Sequence, residues 1–267
     1  MTRHASARIN VVTGARSGIG RATAELLRSR GEHVIGIDLA GTDIAADLGT
    51  RAGREHAVAS VRAACPDGLD ALIECAGLST QDGPAVVSVN YFGAVALAEG
   101  LRELLARGRS PRCVIVSSSA SFLPFDADIV EACLAGDEVQ ARALAAAPGN
   151  AEPGHRQGQV YAASKRAVTR WIRRTSKQPE WAGAGVLLNG VAPGLVRTPM
   201  TIPLLETAEG RAVLAQAVPR AVANAAEPDD LALVLAFLAG PDNRYLVGQV
   251  PVCDGGTDVL MRGDDVI

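Results

Sequence analysis

Short runs of apolar, often β-branched residues alternate along the chain with segments whose apolar positions recur at helical spacing. The alternation shows no internal repeat and no linker, so we expect a single domain over residues 1–267. Strands that alternate with helices in this way predict an α/β fold: a doubly wound parallel sheet with helices on both faces. Strands are predicted over 8–13, 33–37, 69–74, 112–116, 185–191 and 250–253, and helices over 18–30, 50–64, 89–106, 161–177 and 229–238.

One connection departs from this rhythm. About forty residues separate the strand that ends near Val116 from the helix that begins near Gln159. Within this insert, near 122–158, the pattern predicts helix over 128–147 and a loop over 148–158. A connection of this length is more often a functional lid or an interface element than a tolerated insertion, and both interpretations stay open here.

Composition narrows the class of protein. Apolar residues make up 48% of the 267 positions and charged residues 21%, which is typical of a packed globular domain. The 29 acidic and 26 basic side chains give a formal charge of −3, so no large positive field is available for nucleic acid or an anionic membrane surface. No apolar run approaches the roughly 20 residues of a membrane-spanning helix.

The amino end and the cysteines indicate a cytoplasmic protein. Residues 1–6 lead straight into the first predicted strand, which leaves no room for a signal peptide. The five cysteines are odd in number, widely scattered and without the spacing of metal ligands. We therefore expect reduced thiols and no metal site.

A glycine-rich turn, Thr13–Gly20, joins the first predicted strand to the first predicted helix. The glycines at Gly14, Gly18 and Gly20 allow the backbone to approach a pyrophosphate, and the helix N-terminus adds unpaired N–H groups and a partial positive charge. The spacing Gly-x-x-x-Gly-x-Gly differs from the common Gly-x-Gly-x-x-Gly, and an ordinary tight turn is the alternative. The place of the turn, at the first strand–helix junction, favours dinucleotide binding.

Asp38 ends the second predicted strand, 18 residues after Gly20. This is close to the offset of the acid that binds ribose in dinucleotide sites. A carboxylate there accepts hydrogen bonds from the adenosine ribose and repels a 2′-phosphate, so NAD is favoured over NADP. Leu39 adds no cation, and Arg16 is the one nearby group that could favour NADP. The alternative is an acid that merely ends a strand.

Tyr161 and Lys165 lie four residues apart on a predicted helix, so both project from one face. The chain has only 3 tyrosines, and among its 26 basic residues only Lys165 and Lys177 are lysines, so a chance pairing is rare. A free phenol has a pKa near 10, and an ammonium a few ångströms away should lower that pKa. The pair is predicted to be a catalytic acid/base and its activator, with an exposed surface pair as the alternative.

Together these motifs resemble the short-chain dehydrogenase/reductase family over essentially the whole chain. The resemblance implies a Rossmann-type fold and an NAD-dependent oxidoreductase. The matching motifs, in the family's order, are Thr13–Gly20, Cys75-Ala76-Gly77, Asn90, Ser117-Ser118, Tyr161-Ala-Ala-Ser-Lys165, Pro193-Gly194 and Asp254-Gly255-Gly256.

The resemblance also implies a role for each catalytic residue. Tyr161 would be the acid/base, and Lys165 would lower its pKa and bind the nicotinamide ribose. Ser118, favoured by the motif match over its two serine neighbours, would hydrogen-bond the substrate oxygen. Asn90 would hold a water that connects Lys165 to solvent, or would simply be a polar residue that starts a helix.

Family matches outline a cofactor-binding surface as well. Asp47 and Leu48 match the adenine contact, and the segment 193–198 would hold the nicotinamide carboxamide. Cys75 departs from the family's Asn-Ala-Gly and loses the hydrogen bonds of the amide. The expected cofactor-binding residues are Gly14, Arg16, Ser17, Gly18, Ile19, Gly20, Asp38, Leu39, Asp47, Leu48, Cys75, Ala76, Gly77, Tyr161, Lys165, Pro193, Gly194, Val196 and Thr198.

Within the family, the insert, the Cys-Ala-Gly motif and the ending Asp-Gly-Gly-x-Asp-x-x-Met-Arg resemble bacterial 3α-hydroxysteroid dehydrogenases/carbonyl reductases, with coniferyl-alcohol-type dehydrogenases second. The implied substrate is a small apolar alcohol or ketone. Residues 122–125 and 200–214 would wall its pocket, although both segments equally suit plain core. A non-catalytic dinucleotide-binding sensor is the alternative class, but it would not need Ser118, Tyr161 and Lys165 together. Family membership implies a homodimer or homotetramer.

Overall fold

A parallel sheet of seven strands runs through the part of the chain that the computed structural model describes, residues 7–148 and 153–264. The strands are β1 (Ile9–Thr13), β2 (His33–Asp38), β3 (Ile44–Ala45), β4 (Ala71–Glu74), β5 (Arg112–Val116), β6 (Leu187–Pro193) and β7 (Val252–Cys253). Their order is β3-β2-β1-β4-β5-β6-β7, so the chain winds outward from β1 in both directions. This is the predicted doubly wound, Rossmann-type sheet.

Helices cover both faces of the sheet. Those of the described residues are α1 (Gly18–Ser29), α2 (Arg51–Ala64), α3 (Gly83–Val87), α4 (Ala94–Leu105), α5 (Ala127–Leu134), α6 (Glu138–Ala146), α7 (Pro153–Thr175), α8 (Ile202–Leu205), α9 (Ala208–Ala217), α10 (Pro228–Ala239) and α11 (Thr257–Arg262).

Each central strand contributes side chains to two hydrophobic cores, one on each face of the sheet, because successive side chains of a strand point to opposite faces. Val11 and Leu72 pack in the cluster that includes apolar residues of α2, α4 and α7. Their neighbours Val12 and Ile73 pack in the cluster beneath α1 and α10. Strands buried on both faces have continuous apolar sequences, which explains the β-branched runs that predicted them.

The observed strands and helices agree in part with those that the sequence pattern predicts. All six predicted strands are present, and the two-residue edge strand β3 was missed. The predicted helix over 128–147 is two helices, α5 and α6, separated by a turn at Gly136, whose φ is +76°. The predicted loop over 148–158 is wrong from residue 153 onward, where α7 already runs; residues 149–152 lie outside the described residues.

Helices α3 and α4 belong to one helical segment, Gly83–Leu105, joined by the π-helical turn Ser88–Gly93. The segment has 23 residues and a mean hydropathy of 1.3. The expectation from the sequence that no apolar run approaches the length of a membrane-spanning helix is therefore wrong. However, 61% of its most apolar window is buried inside the protein, where Leu97 and Leu101 are fully covered. It is a core helix, and its π-helical turn carries Asn90.

The insert folds back onto the domain as α5 and α6. Helix α5 packs against α7, and α6 packs against α3. Ile129 of α5 is fully buried, and three ion pairs tie the insert to neighbouring helices: Glu138 to Arg54 of α2 at 2.7 Å, Asp126 to Arg156 of α7 at 2.6 Å, and Glu131 to Arg170 of α7. The described part of the insert is therefore an integral layer of the core.

Candidate active site

A cavity of about 660 Å³ opens at the carboxyl ends of β1, β4, β5 and β6. In doubly wound sheets, ligands bind at this edge, next to the point where the strand order reverses. The cavity brings together residues from distant parts of the sequence. Of the predicted site residues, it is lined by Gly14, Ser17, Gly18, Ile19, Gly20, Asp38, Leu39, Asp47, Leu48, Cys75, Ala76, Gly77, Ser118, Tyr161, Lys165, Pro193, Gly194, Val196 and Thr198.

Two predicted site residues, Arg16 and Asn90, are not among the described lining residues. The Arg16 side chain runs past Gly41, where an added Cβ would lie 3.8 Å from Arg16 Nε. Sequence reasoning also missed several lining residues. Ser79 and Thr80 directly follow the Cys-Ala-Gly motif, a signal that could have found them. The others are small or apolar residues that look like core in the sequence: Ile37, Ala46, Leu78, Val89, Val116 and Pro199, with polar Ser117 and Thr201 beside them.

The glycine turn has a backbone that side chains would prevent. Gly14 has a φ of +67°, and a Cβ there would lie 2.9 Å from the backbone nitrogen of Ala76. At Gly20 a Cβ would lie 2.2 Å from the carbonyl oxygen of Gly14. The first N–H groups of α1, which begins at Gly18, have no intrahelical acceptor. The turn therefore places helix N–H groups at the cavity wall without side chains in front of them, a cradle that fits a pyrophosphate.

Backbone N–H groups hold the Asp38 carboxylate in place. Its Oδ2 accepts a hydrogen bond from the Arg16 N–H at 3.0 Å, and its Oδ1 accepts one from the Leu39 N–H at 2.7 Å. Each carboxylate oxygen has further lone pairs, so the group can still accept hydrogen bonds from a ligand. The Leu39 side chain is 65% exposed at the cavity and carries no charge.

Ser118 and Tyr161 both line the cavity, and the Ser118 hydroxyl acts to lower the pKa of Tyr161. Ser118 follows β5 and precedes a short 3₁₀ turn, where its Oγ also accepts a hydrogen bond from the Ala120 N–H at 3.1 Å. Ser117 hydrogen-bonds residues of α7 instead: its Oγ is 2.7 Å from Thr169 Oγ1 and 3.1 Å from the Lys165 carbonyl oxygen. Ser117 is thus engaged with α7, and Ser118 is the serine that acts on the pKa of Tyr161.

The expectation that the Lys165 ammonium lowers the Tyr161 pKa below its ordinary value is wrong. Burial raises the pKa of Tyr161, and the hydrogen bond with Ser118 lowers it by less. Lys165 is 4% exposed, and its Nζ donates to the Val116 carbonyl at 2.8 Å. Burial lowers the pKa of Lys165 to about 8, against the opposing charges of Cys75 and Glu74. Desolvation therefore has the largest effect on the pKa of both Tyr161 and Lys165.

Asn90 is a buried residue that hydrogen-bonds Leu78, a residue of the cavity wall. It is 2% exposed, and its Oδ1 accepts from the Leu78 N–H at 2.7 Å. Its Nδ2 donates to the Leu78 carbonyl at 2.9 Å and to Ser164 Oγ at 3.0 Å. A Cβ at Gly77 would lie 3.3 Å from Asn90 Oδ1 and 3.5 Å from Lys165 Nζ, so both polar groups border the same glycine. Asn90 thus fixes the chain that leaves β4 beside the lysine.

The sheet, the glycine cradle and the Ser118–Tyr161 pair define a nucleotide-dependent oxidoreductase. A family model described as enoyl-(acyl carrier protein) reductase matches residues 14–258. The chain belongs to the short-chain dehydrogenase/reductase family, as its motifs implied.

Individual relatives narrow the likeness. The chain is 40% identical over 259 residues to a 3α-hydroxysteroid dehydrogenase/carbonyl reductase of Comamonas testosteroni, with 95% of this chain and 98% of that protein covered. A coniferyl-alcohol dehydrogenase of Pseudomonas sp. (strain HR199 / DSM 7063) is 29% identical, with 92% and 94% covered. The crystal structure of a 3α-hydroxysteroid dehydrogenase from Pseudomonas sp. B-0831, complexed with NADH, has a TM-score of 0.88 at 43% identity, with 97% and 100% covered. The resemblance to bacterial hydroxysteroid dehydrogenases is confirmed.

Proposed function

We propose that the protein is an NAD(H)-dependent oxidoreductase that interconverts a secondary alcohol and a ketone on a hydroxysteroid or a similar apolar carbonyl compound. The observation that carries the proposal is the placement of Ser118, Tyr161 and Lys165 in the cavity that also contains the glycine cradle. An acid/base and an anchor for the substrate oxygen thus share one cleft with a nucleotide site. The similarity to the Comamonas and Pseudomonas enzymes supports the substrate class.

In the proposed mechanism, Tyr161 exchanges a proton with the substrate oxygen. During ketone reduction the phenol donates its proton to the carbonyl oxygen, and during alcohol oxidation the phenolate accepts the hydroxyl proton. Ser118 donates a hydrogen bond to the same oxygen and orients it. Burial keeps the Tyr161 pKa raised; in this proposal the charge on Lys165 acts in the opposite direction and stabilises the phenolate, and Asn90 holds a water through which protons pass between Lys165 and solvent.

NAD(H) supplies the carbon that accepts or donates the hydride. The residues present fit this cofactor, because the tight turn at α1, whose backbone leaves no room for a Cβ at Gly20, lines the cavity and the Asp38 carboxylate is held at the cavity wall. The cradle would hold the pyrophosphate and Asp38 the adenosine ribose. Asp47 and Leu48 would contact the adenine, and the segment 193–198 would hold the carboxamide.

Replacing Asp38 tests the cofactor preference. We expect Asp38→Ala to lower the ratio of kcat/KM for NAD over NADP about 10–100-fold, because it removes a charge-assisted hydrogen bond of about 1.5–3 kcal/mol and the repulsion of a 2′-phosphate. The measurement is initial rates with each cofactor. Asp242→Ala, which removes an exposed carboxylate outside the cavity, is the matched control. An unchanged ratio in Asp38→Ala would remove Asp38 from the ribose site.

The segments expected to wall the substrate pocket contribute little to the cavity. Of the segment 200–214, Met200 and Thr201 line the cavity, and the described lining includes none of residues 202–214. The described lining includes none of residues 122–125. Phe122 is covered instead by the Arg262 guanidinium at 4.0 Å, and the Arg166 guanidinium lies 5.6 Å from the Phe125 ring. These cation–π contacts assign the two rings to packing between segments.

A substrate panel tests the proposal directly. Absorbance at the NADH band would be followed with hydroxysteroids, aryl alcohols such as coniferyl alcohol, and quinones, each with NAD(H) and NADP(H). We expect turnover with hydroxysteroids or related ketones. Preference for aryl alcohols would favour the coniferyl-type alternative, which the second relative supports. NADH binding without any turnover would favour the non-catalytic sensor.

Two further expectations belong to the proposal. Leu233 and Phe237 project from α10 with 55% and 49% exposure, and we propose that this face joins subunits of a homodimer or homotetramer. The insert already covers part of α7 in its own subunit. All five cysteines are free thiols, which supports a reducing, cytoplasmic location.

A further inference from the structure

One buried group beside the cavity has no part in the mechanism above. Glu74, the last residue of β4, is 3% exposed, and its Oε1 has no hydrogen-bond partner among the described residues. Burial of a carboxyl group without partners costs free energy, so nearly all buried polar groups are paired. An unpaired acid at the edge of a candidate active site is a candidate for a functional role.

The sheet places Glu74 on the face that α7, the helix of Lys165, covers. Side chains two residues apart on a strand share a face, so Glu74 lies on the face of Leu72, whose core cluster includes Ala163 of α7. Lys165 extends from α7 to the adjacent strand end, where its Nζ donates to the Val116 carbonyl at 2.8 Å. Each charge acts on the other group: Lys165 lowers the pKa of Glu74, and Glu74 raises the pKa of Lys165.

Burial opposes both charges. It raises the pKa of Glu74 well above its ordinary value and lowers the pKa of Lys165 to about 8. The other group whose charge would favour the ammonium is Cys75. Burial raises the pKa of that thiol to about 12, so it carries no charge near neutral pH. The carboxyl of Glu74 has an ordinary pKa of 4.5, far below the 9.0 of a thiol, so of these two groups Glu74 is the one that becomes charged at lower pH.

None of the other titratable groups near Glu74 takes its place in acting on the charge of Lys165. Cys113 faces it from β5, and burial raises the pKa of this thiol well above its ordinary value, so it stays neutral. Glu99 of α4 acts on Cys113. Among the described residues, Lys165 is the charged group that acts on Glu74.

We propose that Glu74 is a positioning residue that keeps the Lys165 ammonium charged beside Tyr161 and thereby sets the alkaline limit of ketone reduction. This inference rests on the proposed function, in which the ammonium stabilises the phenolate that remains after Tyr161 gives up its proton. Without the acid, Lys165 loses its proton at lower pH, and reduction slows there because that phenolate is no longer stabilised.

The scarcity of lysine allows a test that does not depend on turnover. Protein labelled with ¹³C at lysine Cε gives two signals, Lys165 and the exposed Lys177, and Lys177→Arg assigns them. We expect Glu74→Gln to move the titration midpoint of Lys165 to lower pH by about half a unit, roughly a threefold change in proton affinity. Glu74→Leu, which removes every polar atom, should give the same shift if the glutamine variant does not fold. An unchanged midpoint overturns the proposal.

A second measurement tests the link to reduction. The alkaline limb of the kcat profile for ketone reduction, at saturating NADH, should move to lower pH in Glu74→Gln and stay in place in Glu74→Asp, which keeps the carboxylate. Glu99→Gln is the control, since Glu99 is an acid with a 46% exposed side chain whose pKa burial also raises but which does not act on Lys165. If Glu74→Gln shifts the titration midpoint of Lys165 but leaves the alkaline limb of the kcat profile in place, the link between Glu74 and ketone reduction is overturned. If wild-type protein reduces no ketone, the proposed function and the link both fail, and the midpoint still decides the coupling separately.

Discussion

Tyr161→Phe is expected to lower kcat in both directions about 10²–10⁴-fold while leaving the dissociation constant of NADH within about twofold. The variant keeps the aromatic ring and loses the hydroxyl that, in the proposed mechanism, exchanges a proton with the substrate oxygen. Single-turnover kinetics would report the chemical step, and NADH fluorescence titration would report cofactor binding.

The other tyrosines provide the control for this variant. Tyr245 is 95% exposed and does not line the described cavity, so Tyr245→Phe should keep the wild-type kcat. A near-normal rate in Tyr161→Phe would show that another group transfers the proton. Loss of NADH binding together with turnover would instead indicate damage to the cavity.

Glu138→Ala is expected to lower the free energy of unfolding by an amount near the lower end of about 3–5 kcal/mol. Glu138 forms two hydrogen bonds of 2.7 Å with the Arg54 guanidinium, and the two side chains are 29% and 8% exposed. Arg54 also donates to the carbonyls of Leu48, Gly49 and Ser88, so its charge would stay buried without a carboxylate. Urea unfolding at neutral pH measures the loss.

A matched surface pair separates burial from charge in this experiment. Arg51 and Glu55 form an ion pair of 2.8 Å on the same helix as Arg54, but these side chains are 89% and 65% exposed. Glu55→Ala should change the free energy of unfolding by about 0–1 kcal/mol. Equal losses in Glu55→Ala and Glu138→Ala would contradict the role assigned to burial.

The pH dependence of the Glu138 contribution has a definite sign. Burial alone would raise the pKa of Glu138, but hydrogen bonds with Arg54 and Ser88 and the nearby positive charges lower it overall. An acid with a lowered pKa in the folded state stabilises the protein above its unfolded pKa, near 4.5, and loses that effect as pH falls through the folded value. The difference between wild type and Glu138→Ala should therefore narrow in acid.

The same ion pair connects the insert with the cofactor site. Arg54 holds the carbonyl oxygens of Leu48 and Gly49, next to Asp47, in the loop expected to contact the adenine. Glu138→Ala is therefore also expected to weaken NADH binding, which the fluorescence titration would detect. The insert acts in this interpretation as a support for the nucleotide site, and its described helices pack as core.

Most of the architecture could be predicted because the central strands are buried on both faces. The runs around Val11, Leu72 and Val114 are continuous and apolar, and that composition is visible without any structure. The missed elements are short or have no periodic apolar face: β3 has two residues and α8 has four. The start of α7 at Pro153 was missed because a segment rich in glycine and polar residues resembles a loop.

The sequence by itself determined the order of strands and helices, the glycine cradle and the set of groups available for chemistry. Those features depend on local patterns, on rare residue types and on spacing along one element. Only the tertiary structure decided which groups meet: Ser118 with Tyr161, Lys165 with the Val116 carbonyl, and Arg54 with Glu138, 84 residues apart. It also reversed the expected direction of the Tyr161 pKa and revealed Glu74 as an unpaired buried acid. The reason is that burial and desolvation depend on segments distant in sequence packing together, and no local pattern of residues contains that information.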